Sequence, residues 1–167
     1  MDTIVALSTP AGKGGIAVIR LSGNPLPIAR AVFETKAING EIKPNFMYFG
    51  KINAKDFSDL GYMVYFKAPK SYTGEDMVEF HCHGGIAISR GVLKRTIEFG
   101  AIPATRGEFT KIAFLNGKMS LSSCEGLIDM INSESVGEVK AGYYLYREKL
   151  CAKIKALQDK LTYALAY

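Results

Sequence analysis

Polar and apolar residues alternate with a period of two from Met77 to His83, which predicts a strand with Met77, Glu79, His81 and His83 on one face and Val78, Phe80 and Cys82 on the other. The polar face is either solvated or a site. Ser71, Tyr72, Thr73 and Gly74 before it supply turn chemistry, and Gly84-Gly85 after it let the backbone break. Ile86, Ser89, Leu93 and Ile97 then recur at threes and fours, predicting a helix that ends at Gly100, a natural C′ residue. A strand feeding a glycine turn and a helix is a common place to hold a ligand. The stretch from Ser71 to Gly100 thus packs turn, strand and helix into one supersecondary unit.

The pattern elsewhere is mixed. Ile4 to Leu7 read as a short buried strand, Ser8 to Gly15 as a glycine-rich loop, and Ile16 to Leu21 as a second strand with Ile16, Val18 and Arg20 on one face. Asn24 and Pro25 form an N-cap and N1 pair for a helix through Ile28, Ala31 and Val32 toward Glu34. Thr35 to Asn45 is loop-like. Phe46 to Ile52 and Tyr62 to Phe66 read as strands joined by a polar connection around Lys55 to Gly61. From pattern alone the first hundred residues are α+β or α/β.

Beyond Gly100 the character becomes helical. A short helix ends at Asn116-Gly117, and a capping box from Ser122 to Glu125 opens another through Leu127, Ile128 and Ile131. After Ser135, a stripe of Val136, Val139, Tyr143, Tyr146, Leu150, Ile154, Leu157, Leu161 and Leu165 is long enough for about nine turns. Core packing is the reading given to that stripe. No Gly, Asn or Pro ends it before Tyr167, which suggests residues beyond Tyr167 or a partner for the helix.

Composition narrows this picture only modestly. A chain of 167 residues fits one domain or one domain with an appendage, and 48% hydrophobic content supports a true core. No apolar run approaches a membrane span, and MDTIVAL at the start is strand-like without a basic region or cleavage site, so a cytoplasmic location is expected. The three cysteines, Cys82, Cys124 and Cys151, are odd in number and lack C-x-x-C spacing, which argues against a disulfide framework or zinc knuckle. A net charge of +5 permits a polyanionic partner, but the Lys and Arg residues are scattered.

Several constellations carry candidate chemistry. Arg20 is the outlier of an apolar strand, either a rim charge or a group aimed at an anion. Gly12, Gly14 and Ala17 match G-x-G-x-x-A, but a β-branched strand follows where a dinucleotide site requires a helix. His81 and His83 share a face with Glu79, yet Cys82 points away and a metal wants three or four ligands, so no metal is expected. None of the cysteines has a recognisable base beside it. No G-x-x-x-x-G-K-[ST] occurs, so these residues hold no P-loop and are not expected to hydrolyse GTP.

Three blocks, DTIVALSTPAGKGGIAVIRLSG (Asp2 to Gly23), SYTGEDMVEFHCHGG (Ser71 to Gly85) and GEFTKIAFLNGKMSL (Gly107 to Leu121), resemble the N-terminal domain of the MnmE (TrmE) family of tRNA-modification GTPases, in that family's order. The resemblance covers essentially the whole chain. It implies an α+β fold with a mixed sheet, of the tetrahydrofolate-binding aminomethyltransferase type, over residues 1–118, and the first helices of a helical domain over residues 119–167. It also implies homodimerisation, binding of a formyl- or methylene-tetrahydrofolate, and a flavoprotein partner, MnmG (GidA). With that partner the family installs an aminomethyl-type group on the tRNA wobble uridine. GTP, Mg and K are expected only in a GTPase domain outside these residues. An alternative is a structural or nucleic-acid-binding module without folate.

The family's folate contacts fall on Arg20 in VIRLSG, Glu79 in GEDMVEFHCHGG and Lys118 in FLNGKM, with a further contact that has no counterpart in this sequence. The chemistry suits the ligand, because a carboxylate accepts the adjacent N–H donors of a pterin while Arg or Lys suits its anionic glutamate tail. The sequence departs from the common family pattern at Arg106, Ile112, Ser120, Ser123 and Gly126, where Pro, Arg, Asp, Gln and Ala are usual. Most of these lie beside the start of the helical part.

Overall fold

The computed structural model describes residues 2–166; the reading of Met1 in the first strand-like stretch and of the final helix at Tyr167 falls outside them. The chain divides into two compact units, one ending at Ala113 and the other starting at Phe114.

The first unit is α+β. Its strands β1 (Ile4–Leu7), β2 (Ile16–Gly23), β3 (Phe33–Glu34), β4 (Met47–Ala54), β5 (Phe57–Phe66), β6 (Asp76–His83) and β7 (Ile102–Pro103) form one sheet in the order β3-β4-β5-β6-β2-β1-β7. All neighbours are antiparallel except β1 and β7. Alternation decides what each strand buries. In β2, Ala17, Ile19 and Leu21 enter the core while Ile16, Val18 and Arg20 turn the other way. In β6, Val78, Phe80 and Cys82 are buried, and Glu79, His81 and His83 occupy the opposite face as the period requires. Met77 shares that face yet is buried, because loop 71–75 folds back over it and the Thr73 N–H points at its sulfur 3.5 Å away.

Helices α1 (Leu26–Val32) and α2 (Ile86–Glu98) cover the apolar face, with Ile28, Ala29, Val32 and Val92 joining the strand residues in one core. Two details differ from the sequence expectation. Pro25, not Asn24, is the α1 N-cap, and the helix stops at Val32 because Phe33 and Glu34 leave it to pair with Ile52 and Lys51 of β4. In α2 the buried line is Ser89, Val92 and Thr96, whereas Ile86 and Ile97 are exposed. The hydroxyls of Ser89 and Thr96 donate back to the Ile86 and Leu93 carbonyls, so small polar residues can face the sheet with their hydrogen bonds satisfied inside the helix. Gly100, at φ 97°, ends the helix as expected.

The polar connection expected at Lys55 to Gly61 is also shorter in fact. Only Lys55 and Asp56 turn, with Ala54 opposite Phe57, and the polar residues that follow belong to β5. They are tolerated there because each has a partner: Ser58 donates to the Asn53 side chain across the hairpin, and Asp59 accepts from His83.

Helix α3 (Glu108–Leu115) ends the first unit and enters the second, where α4 (Leu121–Asn132), α5 (Val136–Tyr146) and α6 (Lys149–Ala166) follow. The cap of α4 is Ser120, whose Oγ accepts from the Ser123 N–H at 3.1 Å, so the Ser122–Glu125 box is corrected by two residues. The single nine-turn helix is corrected as well. It breaks at Arg147 and Glu148, with Glu148 at φ 56°, where Ser123 Oγ donates to the Tyr146 carbonyl and lies 3.3 Å from the Glu148 carboxylate. The apolar stripe is not a core: Val136, Tyr143, Leu150, Ile154, Leu157, Leu161 and Leu165 are all exposed. Small residues make the α4–α5 contact instead. A Cβ on Gly126 would meet the Tyr146 backbone N and stand 2.6 Å from the Gly142 carbonyl oxygen.

Candidate functional site

Antiparallel pairing places Arg20 of β2 directly opposite Glu79 of β6, and directly opposed residues share a face. Arg20 Nε donates to Glu79 Oε1 at 2.8 Å, with the Arg side chain 29% and the Glu side chain 13% exposed. His81, two residues along the same face, brings Nε2 to 3.2 Å from Glu79 Oε2. The Arg20 guanidinium lies 5.5 Å from the Tyr72 ring centroid and 5.9 Å from that of Phe109, an aromatic setting that suits a planar cation.

The turn before β6 is fastened into this arrangement. Ser22 and Thr73, both fully buried, share a hydrogen bond of 2.7 Å, and Ser22 Oγ also lies 2.9 Å from Glu75 Oε2. The Gly74 N–H donates to Ser71 Oγ at 2.9 Å. Tyr72 and Thr110 share a hydrogen bond of 2.7 Å, which ties the turn to α3 and sets Tyr72 beside Arg20. The result is a half-buried carboxylate held from both oxygens, next to a cation flanked by aromatic rings. Such an arrangement can accept paired N–H donors and stack or hold a flat, partly anionic molecule.

Further along β6, His83 engages a different carboxylate. Its backbone N–H donates to Asp59 Oδ2 at 2.8 Å and its Nδ1 lies 2.7 Å from Asp59 Oδ1. The two histidines therefore answer to separate acids. Among the described residues no group of three or more His, Cys, Asp or Glu could hold a metal ion. Cys82, between them in sequence, faces the core, where burial and the charge of Asp59 push its thiol up to about 11.

The glycines of the first loop serve backbone approach. Gly14 N–H donates to the Gly84 carbonyl and Gly84 N–H to the Gly15 carbonyl, and a Cβ on Gly84 would stand 2.6 Å from the Gly14 carbonyl carbon. The loop then enters β2, not a helix, as the β-branched run indicates.

Of the three residues singled out by the sequence, the structure joins Arg20 to Glu79. Lys118 stands in the second unit, lining a hollow of about 530 Å³ with Ser120, Ser123, Tyr146, Arg147 and Glu148. Sequence reasoning missed Tyr72 and Phe109 as neighbours of Arg20, and Asp59 as the partner of His83. Tyr72 carried only a turn signal, and Asp59 fell within what looked like a connection.

Comparison with known proteins adds an independent line. Residues 3–118 match the family model described as the GTP-binding protein TrmE N-terminus. The chain is 38% identical over 169 residues to the tRNA modification GTPase MnmE of Geobacter metallireducens, covering 99% of this chain and 37% of that protein. It is 42% identical over 165 residues to the protein of the same name from Fervidobacterium nodosum, covering 96% and 36%. Against that from Caldicellulosiruptor saccharolyticus it is 45% identical over 138 residues, covering 80% and 30%. The chain spans a little over a third of the length of the first two of these relatives.

Proposed function

The chain belongs to the TrmE (MnmE) family of tRNA-modification GTPases, matching its N-terminal part, and from that premise we propose that it binds a one-carbon tetrahydrofolate and forms a homodimer. In this reading the ligand is a formyl- or methylene-tetrahydrofolate. The complete protein acts in the cytoplasm with the flavoprotein MnmG on the wobble uridine of tRNA. GTP, with Mg and K, binds in a domain outside these residues. Among the described residues no helix is long and apolar enough to cross a membrane.

The observation that carries the folate reading is the Arg20–Glu79 pair, with Glu79 only 13% exposed and both of its oxygens held by neighbouring donors. Each carboxylate oxygen has about two lone-pair sites, so one on each remains for a ligand. Two adjacent N–H donors, as on the pyrimidine edge of a pterin, fit that remaining pair. Arg20, bonded to the same carboxylate, holds it in place for those donors. When bound, the folate supplies the one-carbon unit; the residues of this chain bind and orient it.

The test is calorimetric titration of a reduced folate and a tail-less pterin. Glu79→Gln replaces an acceptor with a donor and loses charge-assisted bonds of about 1.5–3 kcal/mol, so affinity for both ligands should fall by roughly one to two orders of magnitude. Arg20→Ala removes the bond that holds Glu79 and should weaken both ligands alike. Unchanged affinity in folded Glu79→Gln would overturn the assignment, and a wild-type chain that binds no folate would favour a module without one.

A further inference from the structure

His81 has no place among the residues assigned above, yet it touches the one carboxylate on which the folate reading turns. Its Nε2 lies 3.2 Å from Glu79 Oε2, and its side chain is 25% exposed. An ionised carboxylate only accepts hydrogen bonds, so the shared proton resides on His81 Nε2. Arg20 Nε holds the other oxygen at 2.8 Å. One donor on each oxygen fixes rotation of the carboxyl group about its last bond, a torsion that is otherwise broad.

We propose that His81 is a positioning residue: with Arg20 it clamps the Glu79 carboxylate so that its two free lone pairs face a ligand carrying two adjacent N–H donors. The proposal rests on the folate reading and deepens it by assigning the source of selectivity. Without the clamp from His81, Glu79 keeps its charge and its bond to Arg20, but its free oxygen can rotate toward solvent. A ligand with paired donors then loses the advantage of a prepared acceptor, whereas a ligand able to offer one donor loses less. Preorganisation of this kind improves affinity by removing the cost of ordering the acceptor on binding.

The sheet gives His81 little other employment. Opposite it stand Val18 on β2 and Tyr62 on β5, and the Asp59 carboxylate is already committed to His83. Its acceptor within reach is thus Glu79.

The experiment compares a reduced folate with its 2-desamino analogue, which lacks one of the paired donors, by calorimetry on the 167-residue chain. Four forms are titrated: wild type, His81→Leu, His81→Gln and Glu79→Gln, each checked by thermal melting. His81→Leu should weaken the reduced folate about tenfold and shrink its advantage over the analogue, while His81→Gln, which keeps an N–H donor at similar reach, should restore both. Imidazole ¹⁵N shifts should report the Nε2–H form in the free wild-type chain. Equal losses in His81→Leu and His81→Gln, or wild-type selectivity in folded His81→Leu, would overturn the positioning role while leaving the Glu79 assignment intact. A folded wild-type chain that binds neither compound would overturn the folate reading and this inference with it.

Discussion

At the scale of single residues, burial sorts the three thiols. Cys151 is exposed, Cys124 is half-buried with its thiol raised by burial and the charge of Glu125, and Cys82 is buried. A thiolate is the reactive form, so alkylation at pH 8 should label Cys151 first and Cys82 only when the chain unfolds, which mass spectrometry of a labelling time course would read. The same burial couples stability to pH. With the Cys82 thiol up near 11 in the folded chain, against an ordinary value near 9, the unfolded chain releases a proton over that interval that the folded chain retains. Stability contributed by the neutral thiol is therefore complete below about pH 9 and lost as pH rises toward 11. Tyr65, pushed up to about 12 by burial and by its hydrogen bond to Asp76, acts in the same sense at higher pH. Melting temperatures followed from pH 8 to 11 should fall, and Cys82→Ala should fall less; an identical slope in the variant would count against the assignment.

At the scale of elements, the meeting of α4 and α5 is set by what is missing from it. Gly126 faces the Tyr146 backbone and the Gly142 carbonyl, and Ser123 bonds to the Tyr146 carbonyl one turn away. Gly126→Ala should gain about 1 kcal/mol of helix propensity but force the helices apart, an overpacking cost of about 1–3 kcal/mol. Loss of stability is the expected net result, read by helical circular dichroism during denaturation. A more stable variant would mean that the helices can separate without penalty.

At the scale of the whole molecule, the sheet of the first unit has one face covered by helices and another on which several apolar side chains lie exposed. Helices cover the side of Ile19, Val78 and Met63, whereas Ile16, Met47, Phe49, Leu60 and Tyr62 lie exposed, with Phe49 paired to Tyr62 across β4 and β5. An apolar surface of this kind is the proposed homodimer interface. The dimer should bury well over about 1,000 Å² in total. Light scattering should give twice the monomer mass for the wild type and a shift toward monomer for Phe49→Asp, whose side chain is more than half exposed and whose lost pairing with Tyr62 should cost the monomer only about 1 kcal/mol, leaving it folded in a thermal melt. A wild-type monomer at high micromolar concentration would remove this reading.

The sequence by itself determined the sides of β2 and β6 and the end of α2, because alternation and glycine positions are local properties that the chain carries unaided, while pattern left the class between α+β and α/β and only the family resemblance pointed to α+β. It also carried Arg20 and Glu79, through motifs that resemble a family. What it could not carry was anything decided by a distant neighbour. The rotation of α2 onto Ser89 and Thr96 depended on how closely the helix meets the sheet, and Ile86 and Ile97 look equally suitable when counted along the chain. The break at Glu148 depended on Ser123, some two dozen residues earlier, offering a hydroxyl to the end of α5. Asp59 read as loop until β5 was laid beside β6, and Tyr72 read as turn until α3 fixed its hydroxyl and set its ring beside Arg20. The bond between Arg20 and Glu79, residues from separate motifs, is likewise a product of strand register: it exists because β2 and β6 pair antiparallel with position 20 opposite position 79, and a slip of one residue would send the two side chains to opposite faces.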